Sequence, residues 1–520
     1  MMRMVVALAT LTFTGMAAGK DLLGVYQDAL KYDPQIREAD ANRMASREAN
    51  PQAWAALLPQ LNGNYAWTRQ KENADQFFVY PSPTGVGAPA LFRQDSSEHI
   101  SQHGYQIQLQ QSIFSWSQFQ TLAQAHKKVA QAETDYRAAE ENLIQRVGQA
   151  YFNVLTAQAN LDAQAAALDA FTRQLDQANR RFEVGLIAIT DAKEAQAAHD
   201  SAAAAVIDAK RQLASQQQAL REITNEDYPS LAKPGEDMPL QNPQPADPER
   251  WVSVSMDQNL SLVSSRLAAD VARDQVRIAF GGHLPTVSLS ALRTDQSQSI
   301  DESVAFGPAT LPLPPPVGPV GFPGSAINNQ VGIQINVPIF SGGGTQSQVR
   351  QAQYLWIAAK EHVTTISRQT EHAARDAYSG VISEVARVNA LRQGLESAQV
   401  AMTATEAGYE VGTRTAVEVV QQRQTLVQAQ TNYASSKYSY ILDIIQLRLA
   451  AGTLDQKTLE EINGWLTQSE ASPPAPTAQP PGGSPPIQPA PPPQPTPQVT
   501  QPTPQATQPA PVPPPAPPAR

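Results

Sequence analysis

Few residues in this chain combine the types and spacing of reactive chemistry. His99 and His103 are four apart, but they stand in a stretch read as an external loop with no third ligand, so exposed loop histidines are expected rather than a metal site. His362 and His372 are ten apart and form no pair. The chain has no Cys, which excludes a disulfide scaffold, Cys-based metal sites, a thiol nucleophile and lipidation on an N-terminal Cys. It has no Walker loop, dinucleotide fingerprint, HExxH pair or GxSxG elbow. No enzyme activity, metal or cofactor is therefore expected, and energy for any work must come from partners. What remains is hydrogen bonding and ion pairing, concentrated in two similar stretches. One reads Arg181-Phe182-Glu183-Val184-Gly185-Leu186-Ile187-Ala188-Ile189-Thr190-Asp191, the other Tyr409-Glu410-Val411-Gly412-Thr413-Arg414-Thr415-Ala416-Val417-Glu418. Taken alone, Thr190 or Asp191 suits a helix cap and Arg414 a solvated charge.

The two stretches belong to a duplicated unit. Phe182-Glu183-Val184-Gly185 recurs 227 residues on as Tyr409-Glu410-Val411-Gly412. At a shift of 226, Leu58-Pro59-Gln60-Leu61 becomes Leu284-Pro285-Thr286-Val287, Asp33 becomes Asn259, and Ile113-Phe114 becomes Ile339-Phe340. The period is too long for a solenoid and implies two tandem halves. Each half reads as helix, strand, strand, helix. Leu22, Val25, Tyr26 and Leu30 share a helical face before Asp33-Pro34 restarts a helix. The Leu-Pro steps then switch to period two. Leu61, Gly63, Tyr65 and Trp67 alternate with polar residues, as do Tyr105, Ile107 and Leu109, and Val331 to Ile339. Strands are expected near 60–69, 103–114, 285–294 and 329–340, separated by long loops at about 70–101 and 295–329. The run Leu311-Pro312-Leu313-Pro314-Pro315-Pro316 cannot join a sheet interior.

Very long helices follow the returning strands. Between Ser117 and Arg181 there is no Pro and one Gly, Gly148. Leu122, Val129, Tyr136, Leu143 and Ala150 recur every seven residues, and the stripe shifts by four to Val154, Leu161, Leu168, Leu175 and Phe182. The second half repeats the pattern from Val349 to Ala377 and from Val381 to Tyr409. Such a helix is roughly 100 Å long at 1.5 Å per residue. Gly185 and Gly412 mark the hairpin turns, after which shorter helices return to Asn225 and Ala451.

Composition agrees with long helices. The 520 residues are 41% hydrophobic but only 6% aromatic, and alanine is abundant, which suits helices packed closely through small side chains. A net charge of −10 without a basic run argues against nucleic-acid binding. Residues 1–19 read as a signal peptide, with Arg3, a short apolar run and Ala17-Ala18-Gly19. No later segment approaches eighteen consecutive apolar residues, so any membrane crossing must use β-strands. The expected division is a first repeat at 20–226, a linker or equatorial segment at 227–246, a second repeat at 247–452 and a further equatorial segment at 453–470. Residues 471–520 hold 22 of the 43 prolines and form a disordered Pro-rich tail by composition.

Four amphipathic strands cannot close a membrane barrel, since about eight are needed. Three copies would supply twelve. At this point the chain resembles the TolC family of outer-membrane channels from about Asp21 to Leu459, on the tandem repeat, the Leu-Pro steps, Ile339-Phe340-Ser341-Gly342-Gly343 and the two turn motifs. The resemblance implies a mainly α protomer of a homotrimeric twelve-stranded β-barrel in outer-membrane lipid, continued by a coiled-coil α-helical tunnel into the periplasm of a Gram-negative cell. It implies the exit duct of a drug-efflux or type I protein secretion system, docked to a periplasmic adaptor protein and an inner-membrane ABC or proton-driven pump. It further implies a periplasmic gate in which Tyr409 and Arg414 contact Thr190 and Asp191, with Lys437 in place of a family arginine. Below the turn the family carries two aspartates; here Glu418 keeps the charge and Gln421 does not, so a trimer would hold a ring of three carboxylates. The latch and the ring are expected to act independently. A trimeric coiled-coil adhesin or stalk is the alternative, but it does not account for two separated strand pairs.

Overall fold

The computed structural model describes residues 19–80, 90–235, 238–306 and 320–467. The expected signal peptide, but for Gly19, and the Pro-rich tail lie outside the described residues.

The first repeat opens with three short helices, α1 (Leu22–Tyr32), α2 (Pro34–Arg47) and α3 (Ala49–Ala55). Asp33 stops α1 and starts α2: its carboxylate accepts from the Ile36 amide, and Pro34 supplies the first helical residue. Strands β1 (Gln60–Tyr80) and β2 (Ala90–Phe114) follow, then α4 (Trp116–Glu183) and α5 (Ile189–Thr224). A linker holding the two-residue strand β3 (Lys233–Pro234) leads to the second repeat. That repeat comprises α6 (Pro248–Gln258), α7 (Leu260–Phe280), β4 (Thr286–Phe306), β5 (Val320–Asn336), α8 (Gly344–Glu410) and α9 (Ala416–Ala451). A last helix, α10 (Gln456–Asn463), precedes β6 (Leu466–Thr467), which pairs with β3. The repeat is visible in its caps, because Asn259 accepts from the Leu262 amide as Asp33 does from Ile36. None of the described helices is long and apolar enough to cross a membrane.

The four long strands make one antiparallel sheet in the order β1-β2-β4-β5, so β1 and β5 are its edges. The strands are longer than alternation predicts. Residues 70–80, 90–101, 295–306 and 320–329, expected as loop, continue the ladders. Residues 70–76, 94–99 and 295–299 are polar apart from Ala74, so no apolar rhythm carries across them, while backbone pairing goes on without it. His99 and His103 are accordingly strand residues opposite Lys71 and Trp67, not loop residues. The fourth strand ends at Asn336 rather than near 340, because Pro338 lacks the amide needed to extend the ladder.

Register sorts the inner portions into two faces. Leu61, Leu109, Ala291 and Val331 form one cross-strand row, and Tyr65, Tyr105, Asp295 and Ile327 another on the same face. Leu61, Tyr65, Trp67, Val331, Ile333 and Ile335 each expose 65% or more of their surface, so this apolar face is uncovered within one chain. The opposite face carries Asn62, Gln108, Asn64, Gln106, Thr294 and Asn328. Neighbouring strands approach closely at Gly104, where a Cβ would lie 2.3 Å from the Asp295 carbonyl oxygen.

The main core lies where the short helices, the linker and α10 wrap the middle of α4 and α9. Leu22, Val25, Leu143, Val147, Phe152, Ile441, Ile445 and Leu459 are buried there. Gly148 makes room for Ile445, whose Cδ1 would sit 2.9 Å from an added Cβ. Polar anchors fasten the linker to this core. The Tyr151 hydroxyl donates to the Ala232 carbonyl at 2.7 Å, and the Tyr440 hydroxyl accepts from the Gln241 amide at 2.9 Å. Arg146 donates to both oxygens of Asp33, joining α4 to the cap of α2. Towards the turns the packing thins to alanines: Ala163, Ala167, Ala170 and Ala178 on α4, Ala192, Ala195, Ala202 and Ala209 on α5.

Candidate functional site

The two helical hairpins, α4–α5 and α8–α9, end in turns of the same backbone form. After α4, the Gly185 amide donates to Phe182 and the Leu186 amide to Arg181; after α8, Gly412 donates to Tyr409 and Thr413 to Gly408. Both glycines have positive φ, +73° and +80°, which closes the turn and satisfies the last carbonyls of each helix. The Phe-Glu-Val-Gly and Tyr-Glu-Val-Gly strings are the sequence form of this shared cap.

Side chains then diverge. Helix α5 begins after Ala188 with no side-chain cap, so neither Thr190 nor Asp191 serves as one. Thr190 is exposed and Asp191 half-buried in the first turn, where a carboxylate favours the helix dipole. Helix α9 is capped by Thr415, whose hydroxyl accepts from the Glu418 amide at 3.3 Å. Arg414 folds back beside Gly408, where any side chain would collide with its Cγ at 2.7 Å. Its guanidinium lies 3.0 Å from the Glu418 carboxylate. Within one chain, the residue expected to latch and the residue expected to form the ring are thus paired with each other. Gln421 is exposed one turn on.

Tyr409 is brought to the other hairpin, but to a different partner from the one expected. Arg181 at the end of α4 places its guanidinium carbon 5.6 Å from the Tyr409 ring centroid, a cation–π contact between the hairpins. Lys437 is not part of this cluster within one chain: it lies 23 residues beyond Arg414 on α9, roughly 35 Å by helical rise, with its ammonium 5.2 Å from the Tyr433 ring centroid.

Two further residues act at this end and were not anticipated. Arg423 on α9 pairs with Glu406 on α8, tying the second hairpin together above its turn. Burial, and then the neighbouring charge of Arg173 on α4, lower the pKa of Arg423 from its ordinary value. The readable signal was its spacing: Val420, Arg423 and Val427 are three and four apart, and both valines pack on Phe171, Ala167 and Ala202. A cation in an apolar seam calls for a partner.

Among the described residues no cluster of His, Asp or Glu has the geometry of a metal site. The chemistry on view is a pair of hairpin ends held by a few polar contacts, and a sheet with one apolar and one polar face.

Comparison with known proteins gives a consistent picture. The model of the family described as outer membrane efflux protein matches residues 25–226 and 251–453, one match per repeat. The chain is similar to the outer membrane protein TolC of Escherichia coli, with 33% identity over 457 residues covering 88% of this chain and 87% of the relative. It is also similar to the alkaline protease secretion protein AprF of Pseudomonas aeruginosa, with 28% identity covering 86% and 88%. Among solved structures, the Campylobacter jejuni CmeC outer membrane channel superposes with a TM-score of 0.64 at 19% identity, covering 86% of this chain and 89% of that one.

Proposed function

Because this chain belongs to the outer membrane efflux protein family and is an outer-membrane export channel, we propose that three copies join edge to edge into one duct. The observation that carries the reading is the sheet: four strands, two unpaired edges, one exposed apolar face and one polar face. A single copy leaves lipid-ready side chains over a sheet too narrow to close. Three copies supply twelve strands, put the Asn and Gln face around water, and continue through α4, α5, α8 and α9 as a tube. A stalk without transport would have no use for the polar inner face.

The tip is the gate in this proposal. Arg181 with Tyr409, Arg414 with Glu418 and Arg423 with Glu406 hold the hairpins within a copy. Assembly brings Thr190 and Asp191 of a neighbouring copy within reach of Arg414, and Glu418 around the axis lines the narrowest water path. The partners are a periplasmic adaptor that grips the exposed turns and an inner-membrane ABC or proton-driven pump that supplies the energy. The chain itself performs no chemistry on its cargo.

Planar-bilayer recording tests the proposal. Purified protein should run in detergent at the mass of three chains and give discrete conductance steps. Tyr409→Ala, which removes the ring facing Arg181, combined with Arg414→Ser should raise the conductance while the trimer persists. Trimers that pass no ions in either form would overturn the duct, and an unchanged double mutant would overturn the gate assignment.

A further inference from the structure

One charge cluster lies far from both the sheet and the turns. Glu384, on the buried face of α8, is 7% exposed. Its Oε2 accepts from Arg387 over a long 3.4 Å, and among the described residues its buried Oε1 has no hydrogen-bond partner. Asp443 of α9 enters the same seam one turn away. Its Oδ2 sits 3.8 Å from where a Gly380 Cβ would stand, so the missing side chain at 380 lets the carboxylate lie against α8. Asp376, one turn further along α8, adds a third negative charge. Among the described residues Arg387 is the cation that opposes these charges, and its side chain is 59% exposed.

The other elements packed on α9 bring no relief. At this level α4 presents Gly148, facing Leu442 and Ile445, and Gln145, which donates to Gln446. Glu249 of α6 is bound to Arg375, which also holds Glu371. Further along α9, Arg448 is taken by Glu461 beside α10.

We propose that Asp443 holds a proton in the α8–α9 seam beside the buried Glu384, making this seam a proton-binding site that is tight in acid and loosens as pH rises. With Asp443 charged, the seam holds an anion near Glu384 and Asp376, opposed by the solvent-exposed Arg387, while the buried Glu384 Oε1 stays without a donor. A proton on Asp443 removes one of these charges. Burial first, then the charge of Glu384, raises the pKa of Asp443, with Arg387 opposing and Asp376 adding to the rise. Because the folded value lies above the unfolded one, the stabilisation is complete below the ordinary aspartate range and is lost as pH climbs through the raised value. The seam is about 40 Å from the turn by helical rise, in the hairpin that carries Tyr409 and Arg414. The site stands whether or not the chain conducts.

Hydrogen exchange on the full chain in detergent, followed in peptides spanning 380–388 and 439–447 and corrected for intrinsic rates, tests it. Local opening should grow with pH, by up to about tenfold per pH unit above the ordinary aspartate range, and level off once the folded seam has lost its proton. Glu384→Gln keeps the shape and supplies a permanent donor, so it should flatten this dependence and stay closed at pH 8; Asp443→Asn should flatten it too. Glu141 on α4, whose pKa burial pushes up to about 7, is the control: Glu141→Gln should leave the slope in these peptides as in wild type. Should Asp443→Asn fail to assemble, the protonated-carboxyl infrared band of wild type and of Glu384→Gln decides, since the variant should lose the part that titrates with the seam. A wild-type seam indifferent to pH, or a Glu384→Gln slope equal to wild type, overturns the proposal.

Discussion

The two repeats share a backbone plan but differ in the side chains at their equivalent caps and turns. Around the middle of the molecule, the first repeat is pinned by Asp33, which is 2% exposed, caps α2 and receives Arg146. The equivalent Asn259 of the second repeat is a neutral cap that also donates to the Ala450 carbonyl. At the turns the order reverses. The first hairpin closes through alanine packing and an uncapped α5, whereas the second carries Thr415, Arg414 with Glu418 and Arg423 with Glu406. Duplication preserved caps and turns, which depend on backbone form, and left side-chain charge free to specialise. The firm charged contact joins α2 to α4 in the core of the first repeat. The weaker ones sit where an opening would have to occur.

Substitutions at equivalent positions sharpen this contrast. The largest effect is expected at Asp33→Ala, which leaves Arg146 half-buried without its partner and removes a cap, a loss of about 3–5 kcal/mol. Asn259→Ala should cost about 1–2 kcal/mol, for a cap and one hydrogen bond. Denaturant unfolding of the two variants under one detergent condition measures the difference, and equal losses would erase the asymmetry. Next comes Arg423→Ala, which strands Glu406 and should loosen the second hairpin by roughly 1–3 kcal/mol, read as faster proteolysis near the turn. Gly185→Ala and Gly412→Ala should cost the same, about 1 kcal/mol each, because both replace a positive-φ glycine in one cap form. Unequal values would show that the turns differ in more than side chains. The smallest stability effect belongs to Glu418→Ala, an exposed pair worth about 0–1 kcal/mol. Its functional effect should be visible all the same: with Arg414 released, cation preference should fall and the closed state should destabilise together in bilayer recordings.

Much of this plan was legible from residue order. The repeat, the long helices and the glycine turns all rest on local rules of cap and period, and such rules survive in a single sequence. The strands were legible only where their faces meet different surroundings. From Leu61 to Trp67 the apolar rhythm announces a sheet, but from Gln70 to Gln76 only Ala74 is apolar and the ladder is written in the backbone alone. Tip contacts divide in the same way. Arg414 and Glu418 are four apart at the start of a helix, a readable pair obscured by giving each a separate role. Arg181 and Tyr409 meet only because two hairpins lie side by side, and no spacing rule connects positions so far apart.

The central claim is that the free edges of the sheet, β1 and β5, pair between copies. The chain has no native cysteine, so single cysteines at Asn62, Asn64 or Ala66 on β1 can be combined with one at Asn328 or Gln330 on β5 without background. Oxidation in the membrane, followed by denaturing electrophoresis, then reads the assembly directly. Edge-to-edge closure predicts that a subset of these double variants, set by register, becomes a covalent species of three chains. Single-cysteine controls should stay monomeric. Absence of any cross-linked species across the whole set, or covalent pairs from β1 cysteines alone, would contradict it.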